Sequence, residues 1–203
     1  APGGHSVQRL WAKGICLFFG IRTELFFAQP LPDGGAILAP NHQSVFDIFL
    51  LATLPIDFKW VAKEEIRRVP IVGAVFKFTG NFFLSRHNFS RDLNVLMEVE
   101  EALKKGTRVL IFPEGTRSRD GKLQELKKGA FRCAQNAGVP IYPIAIDKSY
   151  AIAPPRRLPQ SWGHHVRIRT GAALYPEAGE DLAAFMERYR KDLVRLLEEA
   201  SAS

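Results

Sequence analysis

The sequence predicts an α/β fold: a single domain with a central, mostly parallel or mixed β-sheet flanked by helices. Three observations carry that expectation. Short apolar runs of strand length alternate along the chain with longer segments of helical periodicity. The 203 residues, 46% of them hydrophobic, suffice for one globular core. No internal repeat or low-complexity linker divides the chain, and the turn clusters at Gln29–Gly35, Ala153–Gln160 and Tyr175–Glu180 are short.

The first element is a basic amphipathic helix. His5, Gln8, Arg9 and Lys13 fall on one side and Val7, Leu10, Trp11 and Ile15 on the other, followed by the apolar GICLFFGI of Gly14–Ile21. Such a helix either lies at a membrane interface or covers the domain's own core. No run reaches the eighteen or so apolar residues of a membrane span. A boundary at residue 28 would separate this helix and its lead-in, 1–28, from a domain of 29–203, and the two can equally form one continuous unit. Beginning at Ala1, the chain is expected to have lost an initiator methionine or a longer segment such as a membrane anchor.

The remaining elements alternate. Ala36–Pro40 reads as a strand, Ser44–Leu54 as a helix, Phe58–Ala62 as a strand, Val69–Phe78 as a short helix and Asn81–Ser85 as a strand. Ser90–Lys105 is a helix stopped by Gly106, with Leu93, Leu96, Met97 and Leu103 at helical spacing. Arg108–Phe112 is a buried strand, Glu125–Asn136 a helix closed by Gly138, and Ile141–Ile146 a further strand. Val166–Thr170 alternates like an edge strand, and Asp181–Glu199 is an amphipathic helix.

A net charge of +7 and a sequence pI of about 9.6 favour anionic partners: nucleic acid, an anionic leaflet or an acidic carrier protein. There is no clustered basic helix and no aromatic-studded basic sheet face, so specific nucleic-acid binding is not expected. Cys16 and Cys133 read as buried, reduced thiols, and the ligand count excludes a structural zinc site.

Three polar loops follow strand-like runs: NHQSVFD at 41–47, GNFFLSR at 80–86 and FPEGTRSRDGK at 112–122. In α/β sheets, ligands sit at such strand ends. His42 and Asp47 admit two readings. Ser44 is a good helix N-cap and Asp47, three residues on, suits a capping box. Alternatively Asp47 holds one imidazole nitrogen and leaves the other as a general base, which requires His42 to lie outside the helix. In the third loop, Pro113 and Gly115 shape a tight turn, and Arg117 and Arg119, with Arg86, form either a phosphate fork or a solvated basic surface. Lys63, Lys127 and Lys128 would extend that surface or simply remain solvated.

Taken in order, NHQSVFD, GNFFLSR, FPEGTRS and VPIYPI resemble the four sequence blocks of the glycerolipid acyltransferase family (the HxxxxD family), whose best-known members are the lysophosphatidic acid acyltransferases. The matches are His42 and Asp47; Gly80, Phe83 and Arg86; Phe112 through Arg117; and Val139, Pro140, Ile141 and Pro143. Ser85 departs from the polar or acidic residue common before the block-two arginine. The resemblance implies that His42 takes the proton from an acceptor hydroxyl, oriented by Asp47, as that hydroxyl attacks an acyl thioester directly. It implies that Arg86 and Arg117 bind the acceptor phosphate, with Glu114, Gly115 and Thr116 shaping the pocket; Glu114 either holds its loop through an arginine, the favoured reading, or contacts the acceptor's polar head. It implies no cofactor and no metal. The co-substrate is acyl-CoA or acyl carrier protein, and the acceptor is a lysophospholipid, foremost lysophosphatidic acid. It places the protein on a membrane surface, at the cytoplasmic face of a bacterial inner membrane. Other acceptors, such as glycerol 3-phosphate or a lyso-ornithine lipid, and a non-catalytic lipid- or carrier-binding domain are the alternatives. Phe46, Phe49, Val75, Phe76, Phe78, Phe82 and Phe83 are available to an acyl channel, and the sequence assigns none of them.

Overall fold

Strands β2 (Ala36–Pro40) and β6 (Ile141–Ile146) are buried at every position and pair in parallel, Ile37 opposite Ile141 through Pro40 opposite Ile144. Continuous apolar runs of this kind belong to strands covered on both faces. The computed structural model describes residues 4–31, 33–69, 72–85, 87–154 and 162–202. Around the central pair lie β1 (Arg22–Phe27), β3 (Lys59–Lys63), β4 (Phe82–Leu84), β5 (Arg108–Leu110) and β7 (His165–Thr170). The sheet order is β1-β7-β6-β2-β5-β3-β4, parallel throughout except between β6 and β7. The expected α/β class and mostly parallel sheet are therefore present.

Alternating side chains of the strands feed two cores. Leu38, Leu110 and Ile144 face the core that also takes Leu50, Leu51 and Trp60. Ile37, Val109 and Ile141 face the core that takes Leu103, Phe131, Phe185 and Tyr189. Helices α1 (Gly4–Phe18), α2 (Asp47–Ala52) and α3 (Val72–Phe78) contribute to the first core. Helices α4 (Phe89–Lys104), α5 (Lys128–Ala137) and α7 (Leu182–Ala202) contribute to the second. A short α6 (Ser149–Ile152) follows β6.

Several expectations change. Arg22–Phe27 carries no clear alternation, yet it pairs in parallel with β7, so Val166–Thr170 is interior and β1 takes the edge. Residues 22–27, which the sequence division assigned to the N-terminal segment, thus belong to the sheet. Helix α1 buries Gln8, Ala12 and Cys16 with Trp11 and Ile15 half-buried, while Val7, Leu10, Leu17 and Phe18 face outward. Val7 and Leu10 are thus not on the covered side with Trp11 and Ile15. The expected helices at 44–54 and 125–136 begin later, at Asp47 and Lys128: residues 45 and 46 form a turn before the first, and Lys127 is held extended before the second. Of the expected helix 69–78, Val72–Phe78 is helical, Val69 is extended after a 3₁₀ turn, Glu64–Arg68, and residues 70 and 71 lie outside the described residues. Gly138 closes α5 as expected, in the left-handed conformation (φ 65°) that favours glycine.

Candidate active site

Strand β2 delivers His42 to the carboxyl end of the sheet. Asn41 fixes the exit: its side-chain amide donates to Ile146 O (3.0 Å) and its oxygen accepts from Ile146 N–H (2.7 Å). The loop then wraps around Asp47, which is fully buried in the first turn of α2. Its Oδ2 accepts from Gln43 N–H (2.7 Å), from Ser44 N–H (2.8 Å) and from His42 Nδ1 (2.7 Å). The bonds to the loop before α2 and the histidine contact therefore coexist on a single oxygen. Ser44 is not the N-cap, a position held by Phe46; its hydroxyl donates to Ala153 O and accepts from Phe46 N–H. A carboxylate is acceptor-only, so Nδ1 carries the proton and Nε2 is left with its lone pair. No described residue is recorded bonding to Nε2. The amides of Gln43 and Ser44 are committed to Asp47 and are not open to a developing oxyanion.

The segment after β5 clamps the same histidine. Phe112 stacks on the imidazole, centroids 3.8 Å apart and planes at 18°. Gly115 N–H donates to Phe112 O (3.0 Å) in a turn that places Gly115 at φ 67°, where glycine avoids the Cβ penalty. Glu114, only 2% exposed, accepts from His42 N–H through Oε1 and from Gln124 N–H through Oε2, both at 2.7 Å. It holds its loop through these two amides rather than through an arginine. Ser118 N–H donates to His42 O (2.7 Å). Burial pushes the Glu114 carboxyl up to about 7, with the Asp47 charge adding to the rise; the two amides and Arg190 oppose it.

A cavity of about 590 Å³ opens beside His42. Strands β3 and β5 pair only at Lys59–Val109 and Trp60–Leu110, after which β3 continues with β4 alone. Residues on both sides of that fork line the cavity, together with Ile48, Phe76, Leu84, Leu96 and Gly129. Glu114 through Arg117 border its polar end. Thr116 and Arg117 are exposed there, and Gly115 is half-buried. Arg86 lies outside the described residues. Its neighbour Ser85 accepts from His87 and Asn88 N–H, closing the turn into α4. Of the channel candidates, Phe76 lines the cavity; Phe46 and Phe83 pack into the core, and the side chains of Val75 and Phe78 lie outside the described set. Trp60, Leu96 and Gly129 were not legible as lining residues, because their convergence depends on where β3 leaves β5. Among the described residues, no group of three or more His, Cys, Asp or Glu side chains is placed to hold a metal ion.

Residues 23–147 match the family model described as Acyltransferase. The chain belongs to the acyltransferase family. Among solved structures, the acyltransferase fold superimposes on the crystal structure of the 1-acyl-sn-glycerophosphate (LPA) acyltransferase PlsC from Thermotoga maritima. The TM-score is 0.84 at 26% identity, over 98% of this chain and 80% of that one. A chloroplastic 1-acyl-sn-glycerol-3-phosphate acyltransferase of Arabidopsis thaliana is 38% identical over 74% of this chain and 42% of its own length. The enzyme of that name from Saccharomyces cerevisiae is 31% identical over 92% of this chain and 63% of its own. The chain thus spans roughly half the length of the curated relatives it matches.

Proposed function

We propose that this acyltransferase moves a fatty acyl group from a thioester to the free hydroxyl of lysophosphatidic acid, giving phosphatidic acid. The observation that carries this reading is the His42–Asp47 pair at the mouth of an apolar cavity, 2.7 Å between Nδ1 and Oδ2. His42 Nε2 takes the hydroxyl proton as the oxygen attacks the thioester carbonyl. Collapse of the tetrahedral adduct breaks the C–S bond, and the leaving thiolate takes the proton back from the imidazolium. The products are an ester and a free thiol, and no acyl-enzyme is formed. Stacking on Phe112 and the clamp on His42's backbone hold the base in place, so positioning supplies part of the acceleration.

The cavity accepts the acyl chain of the donor, acyl-CoA or acyl carrier protein. Arg117, with Arg86, meets the acceptor phosphate, and Gly115 and Thr116 shape that end. The exposed stripe of α1, with Leu17 (79% exposed) and Phe18 (65%), adjoins Trp162 (69%), whose ring centroid is 6.1 Å from that of Phe18. Lys13 flanks the stripe. This surface seats the protein on an anionic leaflet, taken as the cytoplasmic face of a bacterial inner membrane. No described helix is long and apolar enough to cross a membrane.

The test is thiol release by purified protein from acyl-CoA and acyl-carrier donors, with lysophosphatidic acid and a panel of other acceptors. Release with lysophosphatidic acid, lost in folded His42→Ala, is expected. Undiminished transfer by that variant, or transfer only to acceptors lacking a phosphate, would overturn the reading.

A further inference from the structure

We infer that Glu114 is a positioning residue for His42 rather than a contact for the acceptor, and that its ionised form is the one that assembles the site. The inference rests on the reading of His42 as the base. A residue that touches substrate needs a polar atom to offer. Glu114 turns its polar atoms inward: it is 2% exposed, and each of its oxygens accepts a backbone N–H, His42 on one side and Gln124 on the other. The two donors belong to different loops, one following β2 and one preceding α5. The carboxylate is therefore the tie between the segment that carries the base and the segment that borders the acceptor.

The chemistry of that tie selects the charged form. Two N–H donors facing two oxygens require an acceptor-only group. A neutral carboxyl carries its proton on one of those oxygens, which becomes a poorer acceptor, and so weakens one of the two bonds. An amide sets its NH₂ against an N–H and breaks one. Ser118 N–H holds the carbonyl of the same residue, His42 O, so losing the Glu114 bond leaves the His42 backbone pinned on one side only. The groups that face Glu114 come from several elements. Asp47 on α2 opposes the charge, and Arg190 on α7 favours it. Tyr189, also on α7, lies within electrostatic reach and donates its hydroxyl to Ala39 O. Burial, with the Asp47 charge adding to it, brings the proton equilibrium of Glu114 up to about 7 against the two amides and Arg190.

The experiment compares wild type, Glu114→Gln and His42→Ala across pH 5 to 9, with thermal unfolding to certify that each variant is folded. Glu114→Gln is expected to lower kcat about tenfold or more, as for loss of a hydrogen bond to a charged group, with the KM for lysophosphatidic acid within about twofold of wild type. On the acid side, log(kcat/KM) of wild type should fall with a slope near two, since His42 and Glu114 must both be deprotonated, and that of Glu114→Gln with a slope near one. A Gln variant with normal kcat and a raised acceptor KM would overturn the positioning role while leaving an inactive His42→Ala, and so the base, untouched. An active His42→Ala overturns the base itself. Should Glu114→Gln not fold, the wild-type slope decides alone: a slope of one counts against the inference.

Discussion

The imidazole of His42 lies nearly parallel to Phe112, 3.8 Å between centroids, while its Nδ1 edge meets Asp47 Oδ2 at 2.7 Å. Face and edge are thus held by different parts of the chain, one 5 residues away and one 70 (the difference of residue numbers). The stack continues from Phe112 to Trp60 (6.4 Å) and from Trp60 to Phe76 (5.5 Å), so the ring that holds His42 is also a wall of the cavity. Filling the cavity and placing His42 are mechanically connected in this arrangement.

Asp47→Asn should remove activity without removing the fold. All three donors meet Oδ2, so an amide either keeps its oxygen there as a weaker, neutral acceptor with NH₂ at the buried Oδ1 place, or turns NH₂ toward all three and no longer enforces the Nδ1–H tautomer. The expected fall in kcat is about a hundredfold or more. Loss of buried bonds to the Gln43 and Ser44 amides should also cost about 1–3 kcal/mol of stability. Steady-state kinetics beside denaturant unfolding separates the two effects. A variant with unchanged kcat would show that Asp47 serves the helix alone.

Gly129→Leu should shorten the preferred acyl chain. A Cβ at Gly129 would stand 3.9 Å from Leu96 Cδ1, an ordinary contact, so the backbone tolerates a side chain whose outer atoms then occupy the cavity. At about 0.8 kcal/mol per methylene excluded, losing four carbons' worth of space corresponds to a roughly 200-fold drop for the longest donors. Short donors should be unaffected. A donor-length series on both proteins measures it, and an unshifted optimum would place the acyl chain elsewhere.

Leu17→Ser with Phe18→Ser should weaken binding to anionic vesicles by about tenfold or more, with less effect on transfer between water-soluble short-chain substrates. Trp162 supplies the reporter: it is exposed, whereas Trp60 is buried and Trp11 half-buried. Its emission should shift to shorter wavelength on vesicle binding, and Trp162→Phe should abolish that shift. Retained partitioning of the double variant would assign membrane contact to another surface.

Glu114 predicts opposite pH trends for stability and activity. Its folded value, about 7, lies above the ordinary 4.5. The folded state therefore keeps a proton that the unfolded chain has released. The associated stability is fully present below pH 4.5 and is lost as pH rises through 7, to a total of about 3 kcal/mol. Measured against the non-titrating Glu114→Gln, wild type should lose relative stability between pH 5 and 8, while its activity rises over the same interval. A constant difference between the two unfolding curves across that range would show that Glu114 does not titrate there.

The fold class was legible because AILAP, RVLIF and IYPIAI are continuous apolar runs, and only a sheet covered on both faces buries such runs. Edge strand β1 was not legible. Its residues alternate weakly, and its pairing partner β7 begins more than a hundred residues later, beyond the reach of any local pattern. The start of α5 was misplaced for a similar reason. Residues 125–127 have helical composition, but Pro113 O takes Lys127 N–H and Glu114 takes Gln124 N–H, which holds the lead-in extended.

Within the site, the sequence by itself singled out the residues proposed for the chemistry. His42 and Asp47 are five apart, and simple helix geometry required a loop between them if they were to meet. Tertiary structure decided how the pair is held. One carboxylate oxygen of Asp47 serves both the helix start and the histidine, and Glu114 binds two amides 82 residues apart (the difference of residue numbers) instead of an arginine. It also decided where the cavity lies, in the fork between β3 and β5. Residue identity and spacing are written in the chain. Which buried acceptor meets which donor, and where two strands part, depend on packing between segments far apart in sequence.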